Sequence, residues 1–122
     1  MREIELSMVF RVQGSKDADA FEAALDSVME RLAVKEGQDD NLFDSDMEAN
    51  AAQHLVALHI SARGTTLAEA ETLAADAIRR AIHESGALTP DWSDPAVEKN
   101  IHDNLNAPTY QLEKQELVPA GR

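Results

Sequence analysis

Ile4-Glu5-Leu6-Ser7-Met8-Val9-Phe10-Arg11-Val12 is the stretch that decides the fold class. Ile4, Leu6, Met8, Phe10 and Val12 fall on one side of an extended chain; Glu5, Ser7 and Arg11 fall on the other, continued by Glu3 and Gln13. Successive side chains of a strand point to opposite faces, so this regular period of two specifies a strand with one face buried. Val9 is its sole apolar residue on the outward side. Gly14-Ser15-Lys16 supplies a turn after it.

Past the turn the period changes. From Asp17 to about Lys35, Phe21, Ala24, Leu25, Val28, Met29 and Leu32 follow the i, i+3, i+4, i+7 spacing of a helix with one buried stripe. Asp17 and Asp19 in its first turn and Arg31 and Lys35 in its last complement the helix dipole, and Gly37 is the expected stop. Alternation then returns. Phe43, Ser45, Met47 and Ala49 alternate with Leu42, Asp44, Asp46 and Glu48, which reads as a second strand with the acidic set on its outer face. Asn50-Ala51-Ala52-Gln53 is the hairpin connection. His54 to Arg63 is the third strand, with Val56, Leu58, Ile60 and Ala62 inward and Leu55, Ala57, His59, Ser61 and Arg63 outward.

After Gly64, Thr66-Leu67-Ala68-Glu69 fits a capping box, in which the threonine oxygen accepts from the amide three residues on. The helix that starts there runs to about Ser85, with Leu67, Ala70, Leu73, Ala74, Ala77, Ile78, Ala81 and Ile82 on one face and Gly86 as its stop. This stripe is rich in alanine, the pattern of a helix lying tight on a sheet. Residues 1–86 thus form a βαββα core. Residues 87–122 form an extension within the same single domain: an irregular segment carrying Trp92, a short helix over 94–105 opened by Pro95, and a last strand over 110–118.

The element order is that of a split βαβ arrangement, so the expected fold class is α+β: a ferredoxin-like βαββα(β) sandwich, an antiparallel sheet with two helices on one face. Ala87-Leu88-Thr89-Pro90-Asp91-Trp92 and Glu116-Leu117-Val118-Pro119-Ala120 resemble the endings of small uncharacterised ferredoxin-like proteins of actinobacteria and their phages. The resemblance implies a fold and a phage or mobile-element setting, and it implies no activity.

Composition narrows the partners. The 122 residues carry 23 Asp and Glu against 11 Lys and Arg, a net charge of −12. A field of that sign repels phosphate backbones and anionic lipid, so direct nucleic-acid binding and membrane binding are disfavoured, while a protein partner, basic or a second copy in a homodimer, is physically compatible. The absence of cysteine rules out disulfides and thiolate metal sites and fits a cytoplasmic setting. The amino terminus alternates charge with apolarity, unlike a signal peptide, and no run approaches the ~18 apolar residues of a membrane span.

The chemistry-bearing residues form no recognisable catalytic or cofactor motif. His54 and His59 stand five apart on one expected strand and so face opposite ways; His83 falls on the exposed flank of the second helix and His102 on the short helix. No metal ligand set and no cofactor site follows. The acidic run around Asp39–Glu48 lacks the glycine and terminal glutamate of a calcium loop in any register. There is no nucleophile elbow, phosphate loop or dinucleotide fingerprint.

What remains is the sheet face away from the helices. It should show Glu3, Glu5, Ser7, Val9 and Arg11, then Asp44, Asp46 and Glu48, then Leu55, Ala57, His59, Ser61 and Arg63. An RNA-recognition sheet would place aromatics and positive charge there, and this reading places neither. Val9, Leu55 and Ala57 instead form a small apolar patch, with His59 beside it and Asp44, Asp46 and Glu48 at its rim. The expectation is an acidic protein-interaction module using this surface, for a dimer contact or a basic partner; charge mimicry of DNA is one form this takes. The alternative is a small enzyme or ligand-binder of the dimeric α+β-barrel kind, with a pocket over the open face and His59 as its polar group.

Overall fold

In a computed structural model, which describes residues 1–14, 17–89 and 108–119, the described residues fold into four strands and two helices. They are β1 (Arg2–Gln13), α1 (Ala18–Gln38), β2 (Leu42–Asn50), β3 (Leu55–Gly64), α2 (Leu67–Glu84) and β4 (Thr109–Pro119). The strands pair antiparallel in the spatial order β2-β3-β1-β4. The expected short helix over 94–105 and Trp92 lie outside the described residues.

The inward side chains of β1 and β3 are those the alternation assigns. Ile4, Leu6, Met8, Phe10 and Val12 meet Val56, Leu58, Ile60 and Ala62 in one buried cluster with Phe21, Leu25, Val28 and Leu32 of α1 and Ala70, Ala74, Ala77, Ile78, Ala81 and Ile82 of α2. One shared cluster places both helices on the same side of the sheet. Each such Leu, Ile, Val or Phe contributes about 1.5–3 kcal/mol on burial, so this layer carries most of the driving force. Ala87 and Tyr110 belong to the same cluster, which ties the chain after α2 into the core.

Helix ends follow local chemistry. Asp17 caps α1 by accepting from the Ala20 amide at 2.8 Å, and Thr66 caps α2 by accepting from the Glu69 amide at 3.1 Å. α1 continues through Gly37 to Gln38, one turn beyond the expected end, and α2 stops at Gly86, whose φ of +94° suits glycine. α2 lies across β3 and β1, α1 packs on α2 and β2, and β4 meets the helix layer at the margin of α2. Lys35 in the last turn of α1 reaches Glu84 at the end of α2, 2.7 Å away, so the helices converge at their C-terminal ends. The architecture is α+β, compatible with a ferredoxin-like sandwich, with this helix placement as its particular feature.

Several expectations need correction. His54 is not in a strand: it closes the turn after β2 at φ +55°, its carbonyl accepts from the Val12 amide, and its ring packs on Phe21 with centroids 5.6 Å apart. His83 is not exposed. It is 4% accessible, with Nε2 2.7 Å from Thr89 Oγ1, because the chain after α2 folds back over it. Leu67, assigned to the buried stripe, is 39% accessible at the first turn of α2. In β2 the two sides are exchanged at one end: Leu42 is buried at 5% and pairs with Ala62, whereas Phe43 pairs with outward Ser61. A bulge between Phe43 and Asp46 causes the exchange. It inserts one residue against β3, and Asp44 there takes φ +54°.

Candidate functional site

The register assembles the outward face row by row. Asp46, His59, Ser7 and Glu116 stand side by side across the four strands. On one side lies the row Glu48, Ala57, Val9 and Lys114, then Asn50, Leu55, Arg11 and Gln111. On the other side lies Phe43, Ser61, Glu5 and Val118, then Arg63 beside Glu3. Val9 and Ala57 are therefore direct cross-strand neighbours, with Leu55 adjoining them. These residues, with Ser7, His59 and Ser61, are half-buried by their neighbours in the sheet. Among the described residues no helix packs on this side.

The expected surface residues thus come together with one exception. Val9, Leu55, Ala57, His59, Asp46 and Glu48 share two adjoining strands or their immediate neighbour. Asp44 sits in the bulge, outside the paired ladder. The edge strand β4 adds Lys114 and Glu116, which the three-strand reading of the face did not include.

Ser7 Oγ and His59 Nδ1 lie 2.6 Å apart, in hydrogen-bond contact across β1 and β3. A serine–histidine pair invites a nucleophilic reading, which requires a carboxylate on the second ring nitrogen and donors for an oxyanion. Asp46 is the cross-strand neighbour of His59, yet its Oδ1 accepts from the Met47 amide at 2.8 Å, and among the described residues no carboxylate bonds to the imidazole. The pair fixes two side chains in the centre of the face. Sequence alternation placed both residues outward; only the register reveals that they are partners.

The face also carries an aromatic that the sequence reading denied it. Because the bulge turns Phe43 outward, its ring lies beneath the Arg63 guanidinium, 4.3 Å from ring centre to carbon. Arg63 Nε donates to Glu3 Oε1 at 2.8 Å. The arginine and the ring occupy one another, so neither is offered for base stacking.

The remaining cations of the face are likewise engaged. Arg11 donates to Glu113 at 2.6 Å, and Lys114 lies 3.1 Å from Glu116. Among the described residues Glu5, Asp46 and Glu48 form no ion pair. Three carboxylates in three successive rows are left uncompensated around the apolar centre.

Elsewhere, a groove of about 270 Å³ separates the end of α1 from α2, lined by Lys35, Gln38, Leu42, Leu73, Asp76 and Arg80 among others. Its cations already bond to Glu84 and Asp76. Among the described residues no cluster of three or more His, Asp or Glu is arranged to hold a metal ion, and no helix is long and apolar enough to cross a membrane. No family model, curated protein or solved structure matches this chain.

Proposed function

We propose that this chain is a protein-interaction module, built on a ferredoxin-like sandwich, that works through the open face of its sheet. The observation that carries the reading is the layout of that face: a half-buried, largely uncharged centre on β1 and β3 (Val9, Ala57, Leu55, Ser7, His59), framed by charge on the edge strands β2 and β4. An apolar centre inside a polar rim is how protein interfaces are organised. Repulsion by the net charge of −12 disfavours nucleic acid and anionic lipid as direct partners.

A photo-crosslinking residue placed at Ala57, and a control placed at exposed Glu22 on α1, test this in the native host. Adducts formed from Ala57 and absent from Glu22 support the reading. Equal adducts from both positions, or none from Ala57, overturn it.

A second reading rests on the Ser7–His59 contact: two open faces close on each other and enclose a small-molecule pocket with His59 as its polar group. It requires a dimer in solution whose formation a lysine at Ala57 abolishes.

A further inference from the structure

The charge pattern of the open face also says what kind of protein fits it. We infer that its occupant is an extended cationic segment, in which the side chains that face the sheet, two residues apart, are two Lys or Arg followed by a small apolar one. This rests on the interaction-surface reading above and narrows it to one class of partner.

Each cation on the face already has its own carboxylate: Arg11 with Glu113, Arg63 with Glu3, Lys114 with Glu116. Among the described residues the carboxylates of Glu5, Asp46 and Glu48 pair with no cation. Anything that covers the face must take these three partly out of water, and an unpaired charge is costly to desolvate. A partner carrying its own cations converts that cost into charge-assisted hydrogen bonds. Geometry sets the spacing. Asp46 and Glu48 are two residues apart on one strand, about 6.8 Å along it, which is the i, i+2 repeat of an extended chain lying alongside β2. In such a chain the side chains that reach the face recur at that repeat. The next of them past the cation at Glu48 falls at the row of Asn50 and Leu55, so a small apolar side chain there settles on Leu55, which adjoins Val9 and Ala57.

A second copy fits less well. Four strands of roughly eight paired residues offer about 500 Å² per partner, so a face-to-face dimer buries about 1,000 Å², the floor for a stable interface. At that size electrostatics decide, and each copy brings the same three uncompensated carboxylates. Like charges brought together across an interface suppress association. A short cationic segment meets no such repulsion, and the net charge of the whole chain draws it in.

The test uses the full chain and a fluorescein-labelled nonapeptide with lysine, lysine and valine at successive second positions and serine between them, titrated by fluorescence anisotropy at low and moderate salt. Binding should weaken with salt, and the pair Asp46→Asn/Glu48→Gln should weaken it at least tenfold. Neutralising Glu22 and Glu30 on α1 should change it less than twofold. Amide resonances that shift on titration should lie on β1, β2 and β3. Equal weakening by the two pairs of substitutions would mean general attraction to an acidic molecule, and the inference would fall. It would also fall if sedimentation showed a doubled mass that Ala57→Lys restores to a monomer; that result identifies a second copy as the occupant and leaves the interaction surface standing. Absence of any adduct from Ala57 removes the surface itself.

Discussion

The guanidinium of Arg63 covers the ring of Phe43 at 4.3 Å while its Nε bonds to Glu3 at 2.8 Å, so one side chain clasps β2 to β3 and β3 to β1 on the open face. A cation over an exposed ring contributes about 0.5–1 kcal/mol, and a partly exposed ion pair contributes up to about 1 kcal/mol. Arg63→Ala should therefore lower stability by about 0.5–2 kcal/mol, read as a fall in the urea midpoint at constant slope. Arg63→Lys should recover only part of the loss, because an ammonium group cannot stack on the ring and keep the same bond to Glu3. A midpoint for Arg63→Ala equal to that of the parent chain would show that the clasp adds nothing to stability.

Gly64 ends β3 where the chain turns into α2, and its role is one of space. A Cβ there would lie 2.7 Å from the Ala70 backbone nitrogen and 3.1 Å from the Thr66 carbonyl oxygen. Both are backbone atoms of the capped first turn of α2, which cannot move aside without disturbing the Thr66 cap. Gly64→Ala should cost about 1–3 kcal/mol, the usual range for forced overpacking. Hydrogen exchange should show the loss as faster opening of the first turn of α2.

Tyr110 sits 1% exposed, edge-on to Phe10 with ring centres 6.0 Å apart, and its hydroxyl has no hydrogen-bond partner among the described residues. Burial disfavours the phenolate and pushes the Tyr110 hydroxyl well above its ordinary pKa. A raised folded-state pKa means that the unfolded chain loses this proton first as the solution becomes alkaline. Stability from this group is thus complete below the ordinary tyrosine value near 10 and declines as pH rises beyond it toward the folded-state value. Tyr110→Phe should remove that alkaline decline. At neutral pH it should leave stability unchanged or raise it by up to about 1 kcal/mol, since it deletes an unsatisfied buried polar group. Urea melts of both proteins at pH 7 and pH 10.5 check both parts; a marked loss at pH 7 would mean that the hydroxyl is satisfied after all.

Where the pattern reports burial directly, the fold was legible. β1 and β3 are central strands, each with one face sealed by the helices, so alternation alone identified every inward residue from Ile4 to Val12 and from Val56 to Ala62. The cap at Thr66 and the alanine stripe of α2 were legible for the same local reason. The edge strands were harder, because both carry bulges. In β4, Leu112 and Leu117 stand five apart, yet both pack against the core, since the register slips between them. In β2 the same device exchanged Leu42 and Phe43. His83 was misread because its burial depends on Thr89, a residue beyond the end of its own helix. For the candidate site, alternation supplied the list of outward residues. Which of them touch, and which charges neutralise one another, are consequences of register that no single strand encodes.

The bulge at Asp44 makes the last prediction, one that strict alternation would reverse. Phe43 pairs with Ser61 and Asp46 with His59, so Asp44 and Ser45 together stand opposite the one residue between them, Ile60. Deleting Asp44 removes the extra residue and its φ of +54°. It leaves Ser45 opposite Ile60, with Leu42 still inward and Phe43 still outward. The deletion should fold and stay within about 1 kcal/mol of the parent, since the backbone strain relieved offsets the loss of local twist. Deleting Ala57 from β3 shortens a strand that has paired neighbours on both sides and no spare residue. Every side chain on one side of the cut would change faces, and that chain should not fold. Circular dichroism and urea melts of the two deletions separate the cases. If loss of Asp44 were as damaging as loss of Ala57, the bulge itself would be required, through its twist or through the bond that Glu36 Oε1 accepts from the Ser45 amide at 2.6 Å.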